Sequence, residues 1–280
     1  MDAEAIPVSV HAGTVSSDTL RRWHRFTPAE RIMRSCFYLA TLIAVVWSLR
    51  TINVIPEFLY DAPQQTADLF IRMWPIDWAW YPKVVHQALI ETLHTATLGT
   101  ILAVALASLV ALLVARNITH SAVLNIIGRF ILVATRSVHT MVWALFFVAV
   151  FGPGALAGTL AIAVHSIGFT GKFLAEAIEE TKPGPIEALV AAGASPLAVL
   201  VKGYWPQIKP AFLAISMFRW DINVRESAVL GLVGGGGLGM ALETALSNLY
   251  WDQAGLVLLV IFGVVIVTEI VTAWVRRKII

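Results

Sequence analysis

Between Arg136 and Lys172 lie 35 consecutive residues without Asp, Glu, Lys or Arg, and between Glu91 and Arg116 lie another 24. No other feature constrains the fold as much. At a rise of about 1.5 Å per residue, some 20 apolar residues cross a hydrocarbon layer ~30 Å thick. Shorter uncharged runs cover 35–49, 227–242 and 253–268. The chain is 58% apolar and only 14% charged, against roughly a quarter charged in an average soluble domain. Soluble, collagenous and disordered classes are thereby excluded. Cys36 is the single cysteine, so no internal disulfide forms, and no Cys/His pair has the spacing of a zinc site. A net charge of +2 leaves no basic face for nucleic acid. The expectation is an all-α integral membrane protein.

Six transmembrane helices are expected, at about 33–55, 88–115, 138–152, 155–176, 208–231 and 254–275. The leader before the first is too long, and its exit too poor in small residues, for a cleaved signal peptide. Gly152-Pro153-Gly154 divides the long run in two. Arg129 and Arg136 place 122–136 at a membrane face rather than in its middle. Lys and Arg counts orient the chain: fifteen of its twenty basic residues fall in the segments that are inside if the N-terminus is inside, and three outside. The expected topology is therefore N-in/C-in. The chain divides into a cytoplasmic N-terminal segment (1–34), a first transmembrane helix with an outer loop (35–87) and a core (88–280). Trp74, Trp78, Trp80 and Tyr81 in the outer loop 59–86 suit an interfacial aromatic belt, with ligand stacking as the alternative.

The inside loop 176–209 stands out by its length. Pro183-Gly184-Pro185 opens it as a turn, and 187–192 is strong helix-former sequence. Gly193 supplies a C-terminal cap, and Ser195 with Pro196 starts a second short helix, which Pro206 and Pro210 stop before the next span. A short helix of small residues outside the bilayer suits either a partner's groove or the membrane surface.

Within the fifth span Arg219, Asp221, Asn223, Arg225 and Glu226 fall within eight residues. Ionisable groups at membrane depth cost roughly 2.5–3.5 kcal/mol each and face a cavity or a partner. Helical spacing puts Arg219, Asn223 and Glu226 on one face, with Asp221 and Arg225 paired on an adjacent one. Two readings fit: an ion-pair network holding the bundle together, or the lining of an anion pathway that can re-pair as a gate. The glycines 234–237 lack the lysine of a nucleotide-binding loop, so ATP hydrolysis is not expected here. They permit irregular backbone where it lines a cavity, which puts Gly235 and Gly236 beside the pathway. Gly168 and Gly171 allow close helix approach, and His165 and His139 suit interhelical hydrogen bonds or ligand contacts.

Glu187-Ala188-Leu189, Gly193 six residues after Glu187, Tyr204-Trp205-Pro206 and Pro210 resemble the EAA loop of binding-protein-dependent ABC importer permeases. Leu189 stands where that loop has a second Ala and Trp205 where it has Leu, both apolar. Glu91-Thr92-Leu93 with Gly99-Thr100, Ala115-Arg116-Asn117, Arg136-Ser137, Trp143-Ala144-Leu145, His165-Ser166-Ile167-Gly168-Phe169 and Ile222-Asn223-Val224-Arg225 through Gly239 are similar to the phosphonate-type subgroup. The resemblance runs from Glu91 to the C-terminus. It implies a type I importer permease fold in a bacterial inner membrane. It also implies a homodimer of permeases with two ATPase subunits, which bind ATP and Mg, no cofactor being held by this chain. A periplasmic binding protein would deliver a phosphonate or phosphite. The resemblance puts Glu187, Ala188, Gly193, Ala194 and Pro206 at the joint with the ATPase. The pathway set is then Arg219, Asp221, Asn223, Arg225, Glu226, His165, Gly235 and Gly236. The alternatives are a permease of the same fold for an amino acid or quaternary amine, and a membrane-embedded enzyme. The enzyme is disfavoured because no other span holds two acids.

Overall fold

The long apolar runs become helices, two of them from the run 137–171, and what surrounds each helix bears on its composition. The structure, a computed structural model, describes residues 26, 28–52 and 56–279, and every regular element among these is helical. Of the segments used above, most of 1–34, with Arg21, Arg22 and Arg25 among its basic residues, and the end of the first span at 53–55 lie outside the described residues. The helices are α1 (Pro28–Thr51), α2 (Pro56–Arg72), α3 (His86–Val114), α4 (Ala122–Ser137), α5 (Thr140–Phe151) and α6 (Ala155–Glu179). They continue with α7 (Pro183–Ala191), α8 (Pro196–Val199), α9 (Trp205–Leu230), α10 (Gly237–Ser247) and α11 (Trp251–Ile279). The chain forms two units, 1–63 and 64–280, with the boundary inside α2.

Among the described residues four helical stretches are long and apolar enough to cross a membrane, and a fifth is added if α4 and α5, bent by 89°, count as one broken span. At 12 residues α5 alone reaches about 18 Å, short of a full crossing. Helix α6 is not among the four stretches, because small and polar residues (Gly158, His165, Ser166, Gly168, Gly171) are spread along it. It affords this because protein, not lipid, covers most of its length.

The second unit is built on the α3–α6 pair, its most extensive helix contact. Lipid gives apolar side chains no reason to prefer each other, so membrane helices associate through small residues that let backbones approach. Ala96, Gly99, Ala103, Ala107 and Ala111 form such a stripe on α3. A Cβ at Gly99 would lie 2.8 Å from Ile162 Cγ2 on α6. On α6, a Cβ at Gly168 would come within 2.5 Å of the Leu132 carbonyl oxygen of α4. Leu98, Ile101, Leu102 and Leu109 of α3 face outward as a lipid-facing surface does.

Two helices occupy segments expected to be irregular. The segment between α1 and α3 contains α2, an amphipathic helix that starts at a proline and carries an Asp68–Arg72 ion pair of 3.0 Å. The glycine-rich stretch contains α10, which folds back along α3 and α11. Trp74 and Trp78 are exposed, but Trp80 and Tyr81 pack against the cluster of Val85, Leu238 and Ala241 and form part of the core.

The α9–α10 hairpin requires the absence of side chains. A Cβ at Gly239 would collide with the Ala228 carbonyl oxygen and lie 2.7 Å from Gly231 Cα, whereas a Cβ at Gly263 of α11 meets nothing within 4 Å. Gly239→Ala is therefore expected to cost about 1–3 kcal/mol. Gly263→Ala is expected to be neutral or to stabilise by up to ~1 kcal/mol. Thermal unfolding of the two variants in the same detergent checks this contrast.

Candidate functional site

The five polar residues of α9 are brought together as their helical spacing predicts. Arg219 is 4% exposed and its Nη2 lies 3.3 Å from both carboxylate oxygens of Glu226, two turns along the same helix. Its Nε donates to Ser166 Oγ of α6 at 2.8 Å, and its guanidinium lies 5.6 Å from the centre of the Phe169 ring. Ser166 Oγ donates in turn to Asn223 Oδ1 at 3.1 Å, and Asn223 Nδ2 donates to Thr100 Oγ1 of α3 at 2.7 Å. Thr140 Oγ1, at the start of α5, donates to Glu226 Oε2 at 2.8 Å. One chain of hydrogen bonds thus joins α3, α5, α6 and α9. Asp221 and Arg225 make the second ion pair, with Asp221 buried and the Arg225 side chain 47% exposed. Asp221 Oδ1 is buried without a hydrogen-bond partner. Of the two arginines, Arg225 alone is open to a ligand, and Arg219 is enclosed.

His165 is near this network but hydrogen-bonds elsewhere. Its Nδ1 lies 3.0 Å from the Val138 carbonyl oxygen, so it donates across the break between α4 and α5. His139 Nδ1 accepts from Met141 N at 3.3 Å and caps α5. Both histidines shape the elbow, and their rings are 6.3 Å apart. Gly235 and Gly236 are also separate from the ion pairs. They form the α9–α10 turn, where Gly235 N donates to Leu230 O at 2.9 Å and Gly236 has φ +82°. Gly154 N donates to Gly234 O at 2.8 Å, fastening this turn to the start of α6. Thr92 Oγ1 accepts from Leu238 N at 2.8 Å and fastens the start of α10 to α3.

At the other end of α9 the loop 176–209 differs from expectation in two respects. Pro183-Gly184-Pro185 is the first turn of α7, since proline suits a position whose N–H has no partner. The second short helix does not stop at Pro206 and Pro210. Ser195 caps α8 by accepting from Ala198 N, and a π-turn over Leu200–Tyr204 carries α8 directly into α9. Pro206 sits in the first turn of α9 and Pro210 inside it, where the wide turn before them lowers the cost of the missing donors. The Gly193 cap is as expected: φ is +76°, Gly193 N donates to Val190 O and Ala194 N to Leu189 O, each at 3.0 Å.

Glu187, Ala188, Val190 and Gly193 are exposed, while Ile186, Leu189 and Ala194 pack inward. Leu189 replaces the second alanine of the EAA pattern and lies against Gly203: a Cβ there would be 3.2 Å from Leu189 Cδ1. Gln207 is a further positioning residue that the sequence did not mark. Its Oε1 accepts from Lys182 N at 2.9 Å and its Nε2 donates to Gly203 O at 2.9 Å, fastening the start of α7 to α9.

The family model for binding-protein-dependent transport system inner membrane components matches residues 103–280. The chain is 35% identical to the phosphite transport system permease protein PtxC of Stutzerimonas stutzeri, over 99% of this chain and 97% of that one. This likeness includes the N-terminal part, for which the motifs offered no match. The phosphate-import permease protein PhnE of Mycolicibacterium smegmatis is 36% identical over 84% of this chain; the match spans only 44% of that longer relative. Among solved structures, the inward-facing MetNI methionine ABC transporter aligns with TM-score 0.60 and 23% identity, over 70% of this chain and 96% of that one. At that identity the likeness concerns the fold.

Breaking the Arg219–Glu226 pair leaves a buried charge uncompensated. Glu226→Gln is expected to destabilise the chain by about 3 kcal/mol, and the R219M/E226Q double variant by clearly less than the two single losses added together. A double-mutant cycle on thermal unfolding in detergent measures the difference.

Proposed function

Because the chain belongs to the family of binding-protein-dependent transport system inner membrane components, we propose that it is the permease of an importer for a phosphorus oxyanion, phosphite or a phosphonate. The observation that carries this substrate class is the 35% identity, over nearly both whole chains, to a phosphite transport permease. The family places it in the bacterial inner membrane as a multi-pass transport component. In this proposal α1, α3, the broken α4–α5 unit, α6, α9 and α11 make six crossings with both termini inside. Two copies form the permease, two ATPase subunits bind ATP and Mg on the inside, and a binding protein delivers the anion from outside.

The geometry supports the following roles in this proposal. The exposed face of α7 (Glu187, Ala188, Val190) and its Gly193 cap form the surface offered to the ATPase. Because Gln207 and Gly203 hold α7 against the base of α9, a displacement of α7 is carried to the ion pairs along one continuous helix. Arg225, half exposed and paired with Asp221, is the cation within reach of a passing anion. A carboxylate beside each arginine keeps attraction weak enough for release, which conduction requires.

Vesicles containing the chain, its ATPase and its binding protein are expected to accumulate phosphite or a phosphonate, but neither methionine nor betaine. Uptake of methionine or betaine with no phosphorus oxyanion would overturn the substrate assignment. Gly193→Trp is expected to abolish transport while the chain remains inserted, because φ +76° strains any side chain there. Arg225→Ala is expected to lower oxyanion uptake about tenfold with the fold retained.

A further inference from the structure

At the α7 end of the bundle, a cavity of about 420 Å³ opens between the ends of α3, α4 and α6. It is lined by Arg116, Arg129, Arg136 and Lys172 together with Glu176 and Glu179, and it shares no residue with the ion pairs of α9. Both acids are already engaged. Glu179 Oε1 accepts from Arg116 N at 2.9 Å, and Glu176 lies 3.5 Å from Lys172 Nζ. No ion pair involves the guanidinium of Arg116, Arg129 or Arg136 among the described residues. Four cations and two carboxylates therefore line one cavity, an excess of two positive charges, and its three guanidiniums have no ion-pair partner among the described residues.

The site is also built. Asn125 Oδ1 accepts from Arg129 Nε at 2.7 Å, while Asn125 Nδ2 donates to the Val114 carbonyl oxygen, so one amide holds Arg129 and fixes α4 to the end of α3. Leu132 is buried against Gly168 and Gly171 of α6, which holds the same stretch of α4 in place. The level in the bilayer follows from α4 itself. Arg129 and Arg136, seven residues apart, share the face bordering the cavity, while Val123, Ile126 and Phe130 are exposed on another. The basic face of such a helix sits at the level of the headgroups, where phosphate is the abundant anion. Guanidinium groups bind phosphate oxygens through paired, charge-assisted hydrogen bonds.

We infer that the cavity between α3, α4 and α6 is a binding site for a phosphate group, carried on an anionic phospholipid headgroup or present as the free ion. This does not depend on what the permease transports.

The test uses the full chain purified in detergent free of phospholipid, alongside R116Q, R136Q and, as a control at the same end, the R277Q/K278Q double variant. In one arm inorganic phosphate is titrated calorimetrically against a chloride background. In the other, native mass spectrometry counts phosphatidylglycerol retained from vesicles mixed with phosphatidylcholine. One phosphate bound per chain, weakened about tenfold in R116Q and in R136Q but not in the control, supports the site with the free ion as its ligand. One phosphatidylglycerol retained by the unaltered chain and lost from both variants, without binding of free phosphate, supports the headgroup. Because these arginines also bear on topology, protease accessibility must show the variants inserted as the parent is. If they are not, the unaltered chain decides: a response that does not saturate at one ligand per chain in either arm overturns the site. Equal weakening in the control overturns it too, since diffuse charge would then explain the binding.

Discussion

Within a bilayer a polar side chain has no water to turn to, so its partners must come from other helices. Asn223 is the point where this chain meets that requirement. Fully buried, it links Thr100 of α3 to Ser166 of α6, and Ser166 passes the chain of bonds to Arg219, Glu226 and Thr140. The small-residue seam of α3 and α6 brings these helices close, but close packing alone tolerates sliding and rotation. A fully satisfied polar chain does not, because a slip would strand Arg219 or Glu226 in an apolar surrounding. It thereby sets the rotation of α9, which in turn leaves Arg225 exposed and Asp221 buried.

The same rotation governs the opposite end of α9. Gln207 and Gly203 must face α7 if the Lys182 peptide and Leu189 are to rest on them. From Gln207 to Arg219 the helix runs about 18 Å. Because α9 grows out of α8 through a π-turn without a loop, no flexible joint lies between the base of α7 and the ion pairs. Such a turn is a wide place in the ladder, and it is where the missing donor of Pro206 is best tolerated. The proline motif that reads as a helix stop is therefore part of a rigid connection.

The features legible in the sequence were those with local causes. Uncharged runs announce their helices because hydrocarbon thickness sets a minimum length, and the Arg219–Glu226 and Asp221–Arg225 pairs follow from helical spacing alone. The Gly193 cap was legible for the same reason. The partners of the α9 charges were not: Ser166 and Thr140 lie 53 and 86 residues away from the groups they bond. Only the tertiary packing brings them in. The helix α10 was obscured by the glycines before it, which spell irregular backbone, yet Gly237 can start a helix because Thr92 accepts the N–H of Leu238. Gln207 carries no charge and belongs to no motif, so nothing local distinguishes it from any polar residue near a helix start.

The charges that remain fall into two kinds, and the difference is physical. In α9 each arginine has a carboxylate one or two turns away, so an anion there must compete with a covalently tethered rival. That arrangement discriminates against the wrong charge without holding the right one for long. Around the cavity at the α7 end Glu176 pairs with Lys172 and Glu179 accepts the Arg116 amide, so the cations outnumber the acids by two and no guanidinium has an ion-pair partner among the described residues. An arrangement of that kind retains an anion. A chain with few charges can place passage and retention at separate sites only by deciding which arginines receive a partner, and here that decision was made residue by residue.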